Sequence, residues 1–191
     1  MRKLVSAAGL LLLLPWALMA QQTPQAELYT GFSYMRLEKT DQLGGIASLD
    51  ANINKNLGIV ADFSGYTGSQ SQNASGFQTN TNDKIYSILA GPRVSDPRGR
   101  WNPFAEALFG WARINSNMST ATTSQGVFLS STTANNAFSM ALGGGIDFKL
   151  SNAVAIRLIQ ADYTLLRPHT GKEQGARIGA GLVFRLGRKG Q

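Results

Sequence analysis

The chain has 191 residues, enough for one domain, and carries a formal charge of +7 from 18 Lys and Arg against 11 Asp and Glu. It holds no cysteine and one histidine, which excludes a disulfide framework and the usual Cys/His zinc sets. The basic residues are dispersed rather than gathered in a stripe, so they fit an anionic envelope surface and give no reason to invoke nucleic acid.

Residues 1–20 begin with Arg2 and Lys3, continue through the apolar VSAAGLLLLLPWALMA and end on small residues before Gln21. This is the layout of a secretory signal peptide cleaved after Ala20, because the apolar run is short of the ~20 residues a spanning helix needs. No cysteine near the cut could take a lipid. The remaining 21–191 keeps 16 basic and 11 acidic residues, a net +5, and reads as a single domain. No second apolar run approaches helix-spanning length, so the exported chain is either soluble or crosses a membrane as strands.

The regular signal beyond residue 21 has period two. Eight strands are expected, at about 27–38, 44–53, 57–66, 84–94, 103–114, 138–150, 154–165 and 176–186, each close to the ~9–11 residues a tilted strand needs to cross hydrocarbon. In the third, Leu57, Ile59, Ala61 and Phe63 oppose Val60, Asp62, Ser64 and Tyr66. In the fourth, Tyr86, Ile88, Ala90, Pro92 and Val94 oppose Ser87, Leu89, Gly91 and Arg93. In the fifth, Ala105, Ala107, Phe109 and Trp111 oppose Phe104, Glu106, Leu108, Gly110 and Ala112. The sixth, ALGGGIDFKL, has three glycines that could suggest a phosphate loop. The alternation continues through IDFKL with no helix start, so Gly143 and Gly145 read as small lumen-facing residues that leave room beside Asp147. The seventh is irregular. If Gln160 and Asp162 face inward, Arg157 falls on the lipid face, where it could snorkel near the periplasmic end; a bulge is the other possibility. In the eighth, Ile178, Ala180, Leu182, Phe184 and Leu186 oppose Arg177, Gly179, Gly181, Val183 and Arg185.

The connections alternate between short turns (54–56, 95–102, 151–153) and two long Ser/Thr/Asn/Gln-rich segments, 67–83 and 115–137, with intermediate ones near 38–43 and 167–175. Short turns at one end and longer loops at the other are the asymmetry of bacterial outer-membrane barrels. The expected fold is therefore all-β: an eight-stranded antiparallel up-and-down transmembrane β-barrel behind a cleaved signal peptide.

The lumen of such a barrel is only wide enough for side chains. Asp50, Asp62, Glu106, Asp147 and Asp162 are expected to face it with Arg93, Arg177 and Arg185. Confined charges must pair, and the favoured reading is a structural ion-pair network rather than an acid/base relay. Arg93 or Arg177 is the expected partner of Asp147. Tyr29, Phe32, Tyr34, Tyr66, Tyr86, Trp101, Phe104, Trp111, Phe148 and Tyr163 read as interfacial girdles. The lone histidine, His169, falls in a surface loop, no G-x-S-x-G motif occurs, and HTGK lacks the upstream glycine of a phosphate loop. No catalytic residue, metal or cofactor is expected.

The stretches ELYTGFSYMRL, ILAGPR, NPFAEALFGWAR, ALGGGIDFKL, IRLIQADYTLLR and GARIGAGLVFRL, in this order, resemble the small outer-membrane β-barrels related to the OmpA transmembrane domain. The resemblance implies insertion by the outer-membrane assembly machinery, which reads the last strand, and a place in the outer membrane of a Gram-negative bacterium. It implies roles in envelope integrity, adhesion or minor solute leakage. Two departures stand out: residues GRKGQ follow Leu186 where many members end on an aromatic, and no peptidoglycan-binding domain follows. The expected partners are outer-membrane lipid, the assembly machinery and any extracellular ligand met by 67–83 and 115–137, with a monomeric barrel and no nucleic acid. Two other readings remain open: a soluble exported lipocalin-like barrel, and a lipid-modifying barrel enzyme relying on His169.

Overall fold

The computed structural model describes residues 26–38, 40–74, 77–97, 99–122, 128–168 and 171–187. The expected signal peptide at 1–20 and His169 lie outside the described residues. Eight strands follow in chain order: β1 (Ala26–Leu37), β2 (Thr40–Asn52), β3 (Leu57–Ala74), β4 (Phe77–Ser95), β5 (Trp101–Thr122), β6 (Phe128–Lys149), β7 (Val154–Arg167) and β8 (Glu173–Leu186). Each pairs antiparallel with its neighbour, and β1 pairs with β8 from Ala26↔Leu186 to Leu37↔Gly175, closing the barrel.

Closure follows from the alternation. Along the barrel wall, outside the β7 irregularity described below, buried side chains alternate with more exposed ones, so a curled sheet hides one face and presents the other. The outward face is apolar along its middle: Phe32 (87% exposed), Ile59, Phe63, Ile88, Phe109, Leu142, Ile178 and Leu182 all stand on it. Such a continuous band is what a lipid-facing barrel wall requires.

The short turns are built from side chains that cap their own backbone. Asn54 Oδ1 accepts from the amides of Asn56 and Leu57, both at 2.9 Å, and Ser151 Oγ from those of Ala153 (3.2 Å) and Val154 (3.0 Å). At the other end β1 and β2 are joined by a tight turn in which Glu38 takes φ 48°, so the expected 38–43 loop is mostly strand.

The segments expected as long loops, 67–83 and 115–137, are also largely strand. β3 and β4 stay paired out to Ala74↔Phe77, β4 and β5 to Phe77↔Thr122, and β5 and β6 to Ala121↔Phe128. The result is a four-stranded sheet rising beyond the rim. Both its faces are wet, so no apolar alternation marks it. It is held by the ladder continuing from the barrel and by cross-strand polar pairs: Ser69 Oγ donates to Asn82 Oδ1 (2.7 Å), Ser71 Oγ to Asn80 Oδ1 (2.7 Å) and Thr132 Oγ1 to Asn117 Oδ1 (2.9 Å).

Of the two readings left open for Arg157, the bulge is the one observed: Arg157 faces the lumen and is fully buried. The register slips between Asp147↔Arg157 and Ile146↔Ile159, and on the other side between Arg157↔Gly181 and Gln160↔Gly179. This bulge sends Leu158 and Ile159 consecutively to lipid and keeps Arg157, Gln160 and Asp162 all inside. A further correction is that Tyr29, Tyr66 and Phe104 are buried in the lumen rather than in the girdle and that Phe32 stands on the middle of the outer wall, whereas Tyr86, Trp101, Trp111 and Tyr163 are exposed toward the strand ends.

The glycines of β6 set where lumen groups can sit. A Cβ on Gly145 would lie 2.8 Å from the Phe104 ring, and one on Gly143 would meet the Asp162 carboxylate. Gly145→Ala is expected to destabilise the barrel by about 1–3 kcal/mol through overpacking, read as a lower urea midpoint in lipid vesicles. An outward alanine at Ser131, in the wet extension of β6, is expected to leave stability within about 0.5 kcal/mol of wild type.

Candidate functional site

The lumen holds three arginine-centred clusters. Asp50 on β2, Arg93 on β4 and Glu106 on β5 make the first: Arg93 Nη1 donates to Asp50 Oδ2 at 2.8 Å, while its Nε and Nη2 donate to Glu106 Oε2 at 2.9 and 2.7 Å. Arg93 and Glu106 lie directly opposite in the β4–β5 register, which is why they meet. Asp62 on β3, Asp162 on β7 and Arg177 on β8 make the second. Arg177 Nη1 donates to Asp62 Oδ1 at 3.0 Å and its Nε to Asp162 Oδ2 at 2.8 Å, Asp162 and Arg177 again being register partners. The third is Arg157 with Asp147, where Nε donates to Oδ1 at 2.8 Å and Nη2 to Oδ2 at 3.2 Å in a two-pronged pair. The expected partners of Asp147, Arg93 and Arg177, are engaged elsewhere; the bulge places Arg157 there instead.

Gln160 joins the three. Its Oε1 accepts from Arg157 Nη1 at 2.7 Å, and its Nε2 donates to Glu106 Oε1 (2.8 Å) and Asp162 Oδ2 (2.9 Å). Nearer the short-turn end, Arg185 Nε donates to Glu27 Oε1 at 3.0 Å across the β1–β8 seam, at side chains 14% and 12% exposed. All eight charged residues expected in the lumen are thus found facing it, Arg185 at its mouth. Gln160, which alternation puts inside with Asp162, and Arg157, which the bulge turns inward, join them, as does Glu27, which nothing in the sequence singles out.

Aromatic rings complete the lining. The Arg157 guanidinium carbon lies 4.1 Å from the Tyr29 ring centroid and 4.2 Å from that of Phe104, and the Arg93 carbon lies 4.5 Å from Phe104. Guanidiniums lie flat on aromatic faces and donate from their edges, so one ring fixes the plane in which each arginine reaches its carboxylates. Parity signals Phe104, which shares a face with Glu106 and Leu108, and Gln160, which shares one with Asp162; for Arg157 the signal is the phase break at Leu158-Ile159.

Toward the rim the charges give way to an apolar layer of Met35, Leu37, Tyr66, Ile85 and Leu166. Between this layer and Arg177 remains a void of about 10 Å³, room for one water molecule. Each carboxylate in the three clusters is held by a guanidinium, while Asp50 Oδ1 and Asp162 Oδ1 make no hydrogen bond to the described residues. Among the described residues no three acidic or histidine side chains converge as a metal site.

Comparison with known proteins places this geometry. The sequence matches the family described as outer membrane protein beta-barrel domain over residues 6–187. No curated protein matches it. Among solved structures, neisserial surface protein A superposes with a TM-score of 0.58 at 15% identity, covering 84% of this chain and 95% of the other. Ail, the attachment invasion locus protein of Yersinia pestis, solved with the heparin analogue sucrose octasulfate, gives 0.57 at 16%, covering 85% and 100%. A major outer membrane protein of Thermus thermophilus gives 0.51 at 9%, covering 84% and 99%. At these identities the likeness is one of fold.

Arg157→Met is expected to cost about 3–5 kcal/mol in vesicle unfolding, because it leaves Asp147 buried without its counter-ion. The double variant Arg157→Met/Asp147→Leu is expected to recover most of that loss. A double variant no better than the single one would contradict the pairing.

Proposed function

The chain belongs to the outer membrane protein β-barrel domain family, and from that premise we propose that its barrel is a filled, non-catalytic anchor presenting the β3–β6 sheet at the cell surface. The integral membrane location rests on the family and on the apolar outer wall. The surface role is carried by one observation: three cross-linked arginine clusters occupy the lumen from wall to wall, so among the described residues the large surface left outside the membrane is the projecting sheet.

Segments 68–82 and 114–137 of that sheet contain no charged residue. Ser, Thr, Asn and Gln dominate, so a partner would be read through neutral hydrogen bonds, as sugars and extended peptides can be. A polyanion such as the one bound to Ail finds no counter-charge on these two hairpins. The lumen network is structural in this reading, serving to hold the wall in one shape. Export by residues 1–20, delivery by the assembly machinery through β8 and a monomeric state complete the proposal.

The lipocalin-like alternative needs an apolar interior and a wet exterior. The charged lumen and the apolar outer wall reverse both requirements.

Three measurements test the reading. The purified protein is expected to need detergent and to shift in gel mobility on boiling; monodisperse protein in plain buffer would overturn the membrane location. Planar-bilayer recordings are expected to show no porin-like conductance for wild type or for Arg93→Ala, the latter losing about 3–5 kcal/mol of stability. Protease added to intact cells is expected to cut within 67–83 or 115–137, and full resistance of both hairpins would contradict their display.

A further inference from the structure

The outer wall carries few charges, and they are not evenly placed. On the outward faces of the eight strands the charged side chains are Arg36, Asp41, Lys84, Arg113 and Arg167. Arg36 and Asp41 are adjacent on β1 and β2 and neutralise each other, Nε to Oδ1 at 3.6 Å. The other three are all cations, stand on β4, β5 and β7, and have no ion-pair partner among the described residues. No acidic residue faces outward on β4–β7.

Each of the three stands at the edge of the apolar band beside an exposed aromatic. Lys84 is two residues beyond Tyr86 on β4, and Tyr86 lies directly opposite Arg113 on β5. Arg113 is two residues beyond Trp111, which pairs with Phe138 on β6, and Phe138 pairs with Arg167 on β7. Tyr86, Trp111 and Phe138 are 53%, 73% and 44% exposed and mark the level where hydrocarbon ends. The row of cations therefore stands at headgroup height on the side of the projecting sheet, facing outward into the lipid leaflet. Three unpaired cations within four consecutive strands, successive ones about 8 and about 12 Å apart at their Cα atoms from the strand spacing and rise, call for several fixed anionic groups on one molecule.

We infer that Lys84, Arg113 and Arg167 form a binding site on the outer wall for a phosphorylated glycolipid of the outer leaflet, its phosphates held by the cations and its sugar and upper acyl chains lying on Tyr86, Trp111 and Phe138. Arginine suits this role because its planar fork takes two phosphate oxygens at once. The assignment rests on the outer-membrane reading above and adds a specific lipid contact to it.

The test uses the folded protein in phosphatidylcholine nanodiscs, titrated with diphosphoryl lipid A, monophosphoryl lipid A, phosphatidylglycerol or inorganic phosphate, with bound lipid counted by native mass spectrometry. Diphosphoryl lipid A is expected to bind wild type most tightly, the monophosphoryl form more weakly, and inorganic phosphate not to compete. The variant Lys84→Gln/Arg113→Gln/Arg167→Gln is expected to lose at least about tenfold in affinity, each cation contributing a few-fold. Arg36→Gln, on the opposite wall, is expected to change nothing. Should the triple variant not fold, Arg113→Gln and Arg167→Gln singly are each expected to weaken binding a few-fold. Unchanged affinity in the variants, or phosphatidylglycerol binding as tightly as lipid A, would overturn the site while leaving the membrane reading intact. Wild type that does not embed at all would instead sink the membrane reading.

Discussion

A guanidinium inside a barrel of eight strands has nowhere to go except to a carboxylate. The space is too narrow for a hydration shell, and an unpaired buried ion costs several kcal/mol, on the order of a third or more of a domain's net stability. Arg93, Arg157 and Arg177 meet this constraint by each taking a carboxylate from another strand, and Gln160 ties the three groups together. Much else follows from that requirement. The β7 bulge exists where Arg157 must turn inward, and Gly143 and Gly145 thin the β6 wall where Asp162 and the Phe104 ring press against it.

The same constraint separates inside from outside. Polar chemistry is satisfied internally, so the outer wall is free to be apolar, and the few charges it keeps are where the band ends. Above that level the strands continue without any core, carried by main-chain pairing and by Ser, Thr and Asn side chains that bond across it. One set of antiparallel ladders therefore passes through three solvents: a charged lumen side, a lipid side and water. Its residues change at each boundary while its register holds.

How much of this is legible in the sequence depends on whether a face is buried. Where one side of a strand meets lipid and the other a charged lumen, as in RIGAGLVFRL, alternation alone assigns every residue from Arg177 to Leu186 to its observed side. It also places all eight expected lumen charges on the inner face. Where both faces are wet, as in 71–73 and 129–136, period two has nothing to report, and strand looks like loop. Where one residue is inserted, the phase is right on each side of Leu158-Ile159 but cannot be joined across it. That is why alternation leaves Arg157 open between the lipid face and a bulge, and why the partner of Asp147 is missed. The placement of Tyr29 and Phe104 against arginines depends on contacts between strands far apart in sequence, which no local pattern encodes.

The distances along the chain that these ion pairs span also bear on how the barrel assembles. Asp62 is matched by Arg177, 115 residues later, and Glu27 by Arg185, 158 residues later. Both arginines belong to β8, the last strand. Until β8 docks against β1, the inner faces of β1 and β3 carry carboxylates whose counter-ions have not arrived. A half-formed sheet lying open to hydrocarbon would expose them at the full cost of desolvation. Sealing the seam and entering the bilayer are thus linked steps, because the strand that completes the cylinder also delivers the charges that make its interior neutral enough to be enclosed.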